Sequence, residues 1–337
     1  MRPIDRPTKI KIEDLRIGMF VELPGNWLNH SFVRSSFLVK HQSQLTKIAQ
    51  SGIETVVVHP VKSLVRPEPK KKQPNYIKKS PVEIEATREE GPSLIPEGYS
   101  DFLQDSTIEP KRKASYLHEV SLDIMDKVLK APSVENITHF KAGISEMVDL
   151  IMADDETASH LLKITSHDHY TFTHSVNVGV LSVLLTKAIY GNSSHHDLQE
   201  LGAAFFLHDL GKVYVPDSLI NKPGKLNEEE WKLMQNHPLG GYQILSDTDH
   251  LSPECKIIVM QHHERDNGTG YPQGLRGDEI HVYGRICAIA DVFDALTSRR
   301  SYKPSMPLYD ALMLMKYEMG SHFNADLFAE FVQLFKK

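Results

Sequence analysis

Hydrophobic residues recur with helical spacing over most of the chain from about residue 115 to the C-terminus. Apolar positions three and four residues apart predict amphipathic helices, and no strand-like alternation of any length interrupts them. The predicted helices are 117–130, 134–153, 157–164, 170–190, 196–208, 228–245, 254–263, 284–296, 308–319 and 325–335. Asn227, followed by three glutamates, and the prolines Pro132, Pro253 and Pro307 have the chemistry of helix starts. Residues 116–337 are therefore predicted to form one all-α domain.

Residues 8–59 show a different pattern, in which short β-rich runs surround a single helix. The predicted strands are 9–12, 19–23, 36–40 and 53–59, and the predicted helix is 41–50, which ends at Ser51-Gly52. We identify no catalytic constellation in this part. The predicted fold class is a small α+β N-terminal domain followed by a dominant all-α helical bundle.

Residues 60–115 separate these two parts and contain eight of the 19 prolines. Between residues 62 and 79 there are seven basic residues and one acidic residue, Glu68. Such a composition is typical of a linker. The basic stretch could contact an acidic partner or a nucleotide, but a solvated linker is the favoured interpretation.

Composition excludes several classes of protein. The formal net charge of −6 gives no global basic field for duplex nucleic acid. The two cysteines, Cys255 and Cys287, are too few for a disulfide framework or an all-thiolate zinc site. No apolar run approaches the roughly 18 residues of a membrane span, and residues 1–7 lack the apolar core of a secretion signal. The chain is therefore predicted to be cytoplasmic.

Histidine is abundant, with 18 residues, of which 13 lie from His160 onward. Because thiols are scarce, any metal site must consist mainly of imidazole and carboxylate ligands. Such ligands suit iron, manganese or zinc and permit hydrolytic chemistry.

The pair His208-Asp209 closes a predicted apolar helix and is followed by Leu210-Gly211-Lys212. Burial of both side chains costs free energy unless they have partners, and a metal ion is one such partner. The carboxylate could bridge two cations, and Lys212, about one turn later, could hold a phosphate. Taken alone, the pair is more readily explained as an ordinary helix-end or surface feature.

Further residues strengthen the metal interpretation. His262 and His263 end a predicted apolar helix, His237 precedes a proline, His174 lies among apolar residues, and Asp291 interrupts an apolar run. Each histidine, taken singly, is more often a satisfied core residue. Together with His208 and Asp209 they supply five imidazoles and two carboxylates, which is the inventory of a two-metal centre. A glycine-rich stretch, 266–275, follows the histidine pair and is predicted to face a substrate.

The ordered motifs identify a family resemblance. FTHSVNV at 172–178, HDLGK at 208–212, HP at 237–238, HHER at 262–265, GTGYP at 268–272 and IADVFDALT at 289–297 resemble the HD-GYP family of cyclic-dinucleotide phosphodiesterases. The resemblance implies a helical bundle with metal ions in its core. Residues 8–59 are similar to a small uncharacterised domain that is often found ahead of this one.

The resemblance also implies residue roles. One metal ion would take His174, His208, Asp209 and Asp291, and the second would share Asp209 and take His237, His262 and His263. Asp209 and Lys212 would be catalytic, and the substrate would contact Lys212, Tyr271, Arg300 and Lys303. The implied cofactors are two divalent ions, iron or manganese, with zinc or nickel as alternatives.

Three positions depart from the family pattern. Members with three metal ions carry a glutamate four residues before the first histidine, where this chain has Tyr170, so two ions are expected. Asn267 replaces a common aspartate, which is a conservative change because both residues tolerate left-handed backbone. Arg299 stands where an acidic residue is common and adds positive charge.

The implied activity is hydrolysis of cyclic di-GMP to linear pGpG, with further hydrolysis to GMP left open. The alternatives are a 3′,3′-cyclic GMP-AMP phosphodiesterase and a non-catalytic dinucleotide-binding signalling module. A nucleotide phosphohydrolase of the wider HD class and a purely structural metal are less favoured. Family members also suggest diguanylate cyclase domains as partners, and the sequence leaves the oligomeric state open.

Overall fold

The computed structural model describes residues 7–12, 15–16, 18–24, 36–39, 42–50, 53, 55–59, 63, 93–165, 171–191, 196–248, 251–298 and 305–336. The chain divides into two compact units, Met1–Val82 and Glu83–Lys337.

The N-terminal unit is a small antiparallel sheet with one helix. Its elements are β1 (Thr8–Lys11), β2 (Phe20–Glu22), β3 (Ser36–Leu38), α1 (Gln42–Gln50) and β4 (Thr55–Val58). The strand order is β1-β4-β2-β3, and β1 pairs with β4 from Thr8↔Val58 to Lys11↔Thr55. Val21, Val58 and Ile48 are fully buried in its core. The predicted α+β class of this part is confirmed.

The second unit is predominantly helical in its described residues, and its loops include one isolated β-bridge between Asn267 and Arg276. Its helices are α2 (Tyr99–Gln104), α3 (Pro110–Lys130), α4 (Val134–Ala153), α5 (Asp155–Thr165), α6 (Thr171–Tyr190), α7 (Leu198–Phe206), α8 (Asp217–Ile220), α9 (Glu228–Met234), α10 (His237–Thr248), α11 (Pro253–Gln261), α12 (Val282–Thr297), α13 (Leu308–Tyr317) and α14 (Ala325–Gln333). The predicted helical bundle is confirmed.

Helix α6 lies at the centre of this bundle. It packs against α7 and α12, and it is buried on every side from Ser175 to Thr186. A helix that is apolar all round belongs in the interior of a domain. Phe205, Phe206 and Phe293 fill the space beside it. This close packing fixes the positions of α6, α7 and α12 relative to one another.

Part of the predicted linker is instead helical. Within 60–115, α2 and the start of α3 belong to the helical unit, and Tyr99 is buried with its hydroxyl donating to the Gly143 carbonyl at 3.2 Å. Lys113 donates to the Leu103 carbonyl at 2.7 Å. Pro110, one of the prolines that suggested a linker, occupies the first turn of α3, where its missing N–H is not needed.

The predicted helix 228–245 is also wrong as a single element, because it is two helices. Asn227 caps α9 in a capping box with Glu230, as its sequence predicts, but α9 ends at Met234 and α10 begins at His237. Pro238 explains the break, since it has no N–H to donate to the carbonyl of Met234. In a continuous helix its ring would also clash with that carbonyl. His237 is therefore at a helix start rather than in mid-helix.

Among the described residues, no helix is both long and apolar enough to cross a membrane.

Candidate metal centre

Five parts of the helical unit bring the predicted ligands together. His174 lies on α6, His208 and Asp209 follow α7, His237 begins α10, His262 and His263 follow α11, and Asp291 lies on α12. Helix α6 packs against α7 and α12, and α11 packs against α7, α10 and α12. These contacts place side chains that are far apart in sequence around one point.

The carboxylate of Asp209 lies at the centre of the cluster. Its Oδ1 lies 3.2 Å from Nε2 of His237 and 3.7 Å from Nε2 of His262. Its Oδ2 lies 3.5 Å from Nε2 of His174 and 3.4 Å from Nε2 of His208. Each oxygen therefore faces its own pair of imidazoles, an arrangement in which one carboxylate can bridge two cations.

Three of the histidines are oriented by the same type of hydrogen bond to the backbone. In His208, His237 and His262, Nδ1 lies 2.9, 2.7 and 2.8 Å from the backbone oxygen of the residue three positions earlier. A carbonyl oxygen only accepts, so Nδ1 carries the hydrogen and Nε2 presents a lone pair. The end of a helix leaves carbonyl oxygens free for this purpose. For His237 the acceptor is the Met234 carbonyl that Pro238 leaves without a donor.

The resulting donor set fits metal ions. Nε2 of His208 and Oδ1 of Asp209 are buried and have no hydrogen-bond partner within the described part of the chain, which is costly for polar atoms. Nε2 of His237 lies 3.2 Å from Nε2 of His262, so two lone pairs face each other. The ligand atoms form two groups, each within 4.8 Å: His174, His208 and Asp209, and Asp209, His237, His262 and His263. Cations between these atoms would satisfy all of them, and Asp209 belongs to both groups.

Asp291 lies between the two groups. Its Oδ1 is 3.2 Å from Nε2 of His174, and its Oδ2 is 3.4 Å from Nδ1 of His263. Although burial raises it, the pKa of Asp291 is held far below its usual range by the hydrogen bond to His174 and by the positive charge of that imidazole. Asp291 is therefore an anion that can ligate without first losing a proton.

Four of the five imidazoles fall into two electrostatic classes. Burial lowers the pKa of His237 and His262 and holds that of His263 well below its usual value. Such histidines are neutral at pH 7, the state that binds metal. Burial also disfavours the charged form of His174, but three surrounding carboxylates outweigh burial and hold its pKa well above the usual value.

Asp294 is a site residue that sequence reasoning did not assign. Its Oδ2 accepts from Nδ1 of His174 at 2.7 Å, and its Oδ1 accepts from the Asn177 amide at 2.8 Å and the Ser298 hydroxyl at 2.9 Å. It is almost fully buried. A carboxylate behind an imidazole fixes the tautomer of a ligand. The available signal was its position three residues after Asp291, on the same side of an apolar helix.

Lys212 lies beside the central carboxylate. Its ammonium forms an ion pair with Oδ2 of Asp209, and its side chain is 29% exposed. Burial raises the pKa of Asp209, but Lys212 and His208 outweigh it and hold the pKa well below its usual value. The turn that carries Lys212 is fixed by Gly211, where a Cβ atom would overlap the backbone oxygen of His237. Lys212 therefore lies between the candidate metal ligands and solvent.

The glycine-rich loop is anchored to the cluster. The Glu264 carboxylate accepts from the backbone N–H groups of Gln273 at 2.6 Å and Leu275 at 2.9 Å. The N–H of Tyr271 donates to the His263 carbonyl at 3.1 Å, and the two rings lie 4.6 Å apart. Tyr271 is thus placed against a candidate ligand. Sequence reasoning did not assign Glu264, although an acidic residue between the histidine pair and the loop was a usable signal.

Tyr170, Arg300 and Lys303 lie outside the described residues. Their implied roles remain predictions.

Two family models match the chain. A model described as an HD domain matches residues 167–327, which include all the candidate ligands. A domain of unknown function (DUF3391) matches residues 8–130, which include the N-terminal sheet together with α2 and α3.

Named relatives and a solved structure extend these matches. A cyclic di-GMP phosphodiesterase of Pseudomonas aeruginosa is 30% identical over 327 residues, which are 96% of this chain and 76% of that protein. A 3′3′-cGAMP-specific phosphodiesterase of Vibrio cholerae is 37% identical over 214 residues, 62% of this chain and 40% of the relative. The structure of an HDG"Y"P protein from Bdellovibrio bacteriovorus has a TM-score of 0.61 over 98% of this chain and 100% of that chain, at 20% identity, and supports the fold alone.

Proposed function

The chain belongs to the HD-GYP family of cyclic-dinucleotide phosphodiesterases, and from this premise we propose that it hydrolyses cyclic di-GMP to linear pGpG at the cluster around Asp209. The observation that carries the proposal is the shared carboxylate, because Asp209 presents one oxygen to each of two pairs of imidazoles. Such bridging is typical of two-metal sites that cleave phosphodiesters.

The proposed ligand sets follow the two groups. One divalent ion takes His174, His208, Asp209 and Asp291, and the other takes Asp209, His237, His262 and His263. Iron or manganese is the proposed metal, with zinc or nickel as alternatives, since imidazole and carboxylate ligands accept all of them. Two ions rather than three are proposed because Tyr170 supplies no carboxylate at the position of the family's additional ligand.

When bound, the metal ions would neutralise the phosphodiester and lower the pKa of an attacking water. Lys212 provides a further positive charge, and its partly exposed ammonium is placed to bind a phosphate oxygen and to balance the charge that develops during cleavage. Tyr271 packs against His263 and shields one side of that ligand from water. Arg300 and Lys303 are proposed to contact the substrate beside Lys212.

Two substrates are supported by the relatives. Cyclic di-GMP is favoured by the relative from Pseudomonas aeruginosa, which matches nearly the whole chain. The relative from Vibrio cholerae supports 3′,3′-cyclic GMP-AMP as the alternative, but the chain spans only 40% of its length. A non-catalytic dinucleotide-binding module is the remaining alternative, and the complete set of ligands argues against it.

The test is turnover of both dinucleotides by the purified full chain loaded with Mn²⁺ or, without oxygen, with Fe²⁺. We expect pGpG from cyclic di-GMP and loss of hydrolysis in His208→Ala and Asp209→Ala, with the exposed Tyr309→Ala as the matched control. If neither dinucleotide is cleaved with either metal, the enzymatic proposal is refuted. A binding module would instead retain its signalling output in both alanine variants.

The wider setting remains a proposal. A cytoplasmic location and a diguanylate cyclase domain as partner are consistent with a dinucleotide-signalling enzyme. The proposed partner would be tested by co-purification of this chain with a diguanylate cyclase, which a variant in the glycine-rich loop should abolish.

A further inference from the structure

Trp231 is an exposed aromatic residue beside the metal centre. It lies on α9 and is 45% exposed, unlike the phenylalanine rings of the core. Its ring lies 5.7 Å from that of Tyr271 at an interplanar angle of 79°. Tyr271 in turn lies 4.6 Å from the ring of His263. A row of three rings therefore runs from a candidate metal ligand to the protein surface.

Helix α9 holds Trp231 in place without burying it. Asn227 and Glu230 form a capping box at its start, and the Lys222 ammonium contacts both carboxylate oxygens of Glu230 at 2.8 and 2.6 Å. None of the residues of α9 is buried. The indole is thus positioned by the helix and by Tyr271, and packing of the core does not require it.

We propose that Trp231 is a stacking platform for one purine base of the bound cyclic dinucleotide. This inference rests on the function proposed above. Two ring-to-ring steps, of 4.6 and 5.7 Å, lead from His263 to Trp231, so the indole lies close to the candidate metal centre on its solvent-exposed side. A phosphodiester at the metal ions therefore places an attached base within reach of the indole. A fixed, partly exposed aromatic ring is the feature on which nucleic-acid bases stack.

Stacking predicts a particular kind of specificity. Every base has a π face, so stacking tolerates changes of base. Trp231 should therefore strengthen the binding of cyclic di-GMP and of 3′,3′-cyclic GMP-AMP alike and contribute little to the choice between them. Its contribution should appear in KM, because the indole touches no reacting atom.

A pair of substitutions separates stacking from apolar contact. Trp231→Leu keeps an apolar side chain against Tyr271 but removes the aromatic face, and Trp231→Phe keeps a smaller face. We expect Trp231→Leu to raise KM by about 5- to 100-fold for both dinucleotides with kcat near that of the wild type. Trp231→Phe should recover most of the loss. Tyr309 is also an exposed aromatic residue, but it lies on α13. Tyr309→Ala is therefore the control and should behave as wild type.

A second measurement detects binding directly. The chain has two tryptophans, Trp27 and Trp231, so Trp27→Phe leaves Trp231 as the sole indole. Stopped-flow addition of cyclic di-GMP should quench its fluorescence before turnover. If the fluorescence is not quenched, the inference about Trp231 is overturned. The same holds if wild type cleaves cyclic di-GMP and Trp231→Leu does so with an equal KM. Neither result would overturn the proposed function. A wild type that neither binds nor cleaves either dinucleotide would overturn both the inference and the proposed function.

Discussion

Asp294 supports His174 from behind, and its replacement by asparagine tests the metal-centre interpretation without altering a proposed ligand. In the structure the carboxylate accepts three hydrogen bonds, from His174 Nδ1 at 2.7 Å, Asn177 at 2.8 Å and Ser298 at 2.9 Å. An asparagine has the same shape but only one accepting oxygen. The amide nitrogen, which can only donate, must therefore face a group that donates to the carboxylate in the wild type.

Both orientations of the amide are unfavourable. If its oxygen stays with Asn177 and Ser298, the amide N–H points at Nδ1 of His174 and moves the imidazole proton to Nε2. That nitrogen faces Asp209 and Asp291 and could no longer ligate a metal ion. If the amide turns round, two donors lose their acceptor, at a cost of about 1–3 kcal/mol for each buried group. Removal of such a supporting residue typically costs about 10- to 100-fold in metal affinity or activity, or about 1.4–2.8 kcal/mol.

The assay compares Asp294→Asn with wild type by elemental analysis, Mn²⁺ titration and turnover of cyclic di-GMP. We expect weaker binding of one of the two ions and a matching loss of kcat. Asp310→Asn, an exposed change on α13, is the control and should change none of these quantities. If Asp294→Asn binds two ions with wild-type affinity and retains wild-type turnover, the tautomer argument is refuted.

Three further predictions concern the site and its surroundings. Gly211→Ala would force a Cβ atom into the backbone oxygen of His237, so we expect a loss of about 3 kcal/mol or more in urea unfolding, whereas Gly320→Ala meets no atom within 4 Å and should be neutral. Glu264→Gln turns one of the two acceptors of the loop amides into a donor, so kcat/KM should fall while metal content is retained; unchanged kinetics would contradict the anchoring role. Burial lowers the pKa of His263 and of two neighbouring imidazoles, so below about pH 6.5 the unfolded chain binds more protons than the folded one. The Tm of the metal-stripped protein should therefore fall between about pH 6.5 and 5. The raised pKa of His174 opposes this trend near pH 6.5, where the unfolded imidazole is only half protonated, but the three lowered pKa values outweigh it. A constant or rising Tm would show that the sign is wrong.

Local sequence signals were sufficient for most of the fold. The apolar periodicity of 134–153 predicted α4 with its observed bounds, because Ser133 caps its start and the periodicity continues unbroken to its end. Prolines led to one correct and one wrong prediction. Pro253 marked the start of α11, but Pro110 was interpreted as part of a linker, since a proline at a helix start and a proline in a linker are alike in composition.

The break before α10 had a local cause that periodicity concealed. Apolar spacing continues across 228–245, so the pattern favours one helix even though Pro238 cannot donate to the carbonyl of Met234. The same proline frees the acceptor that orients His237. The local sequence thus contained the information for both the break and the orientation of this candidate ligand.

The chemical groups of the candidate centre, five imidazoles, two carboxylates and a lysine, could be predicted from the amino-acid sequence, together with the elements on which most of them lie. Their partners could not be predicted and are seen only in the folded chain: which oxygen of Asp209 faces which imidazole, and that Asp294 contacts His174 across 120 residues of sequence. The physical reason is that helical periodicity selects the face on which a side chain lies, whereas the partner of that face depends on how α6, α7, α11 and α12 pack. Contacts between sequence-distant residues follow from that packing and are not encoded in local spacing.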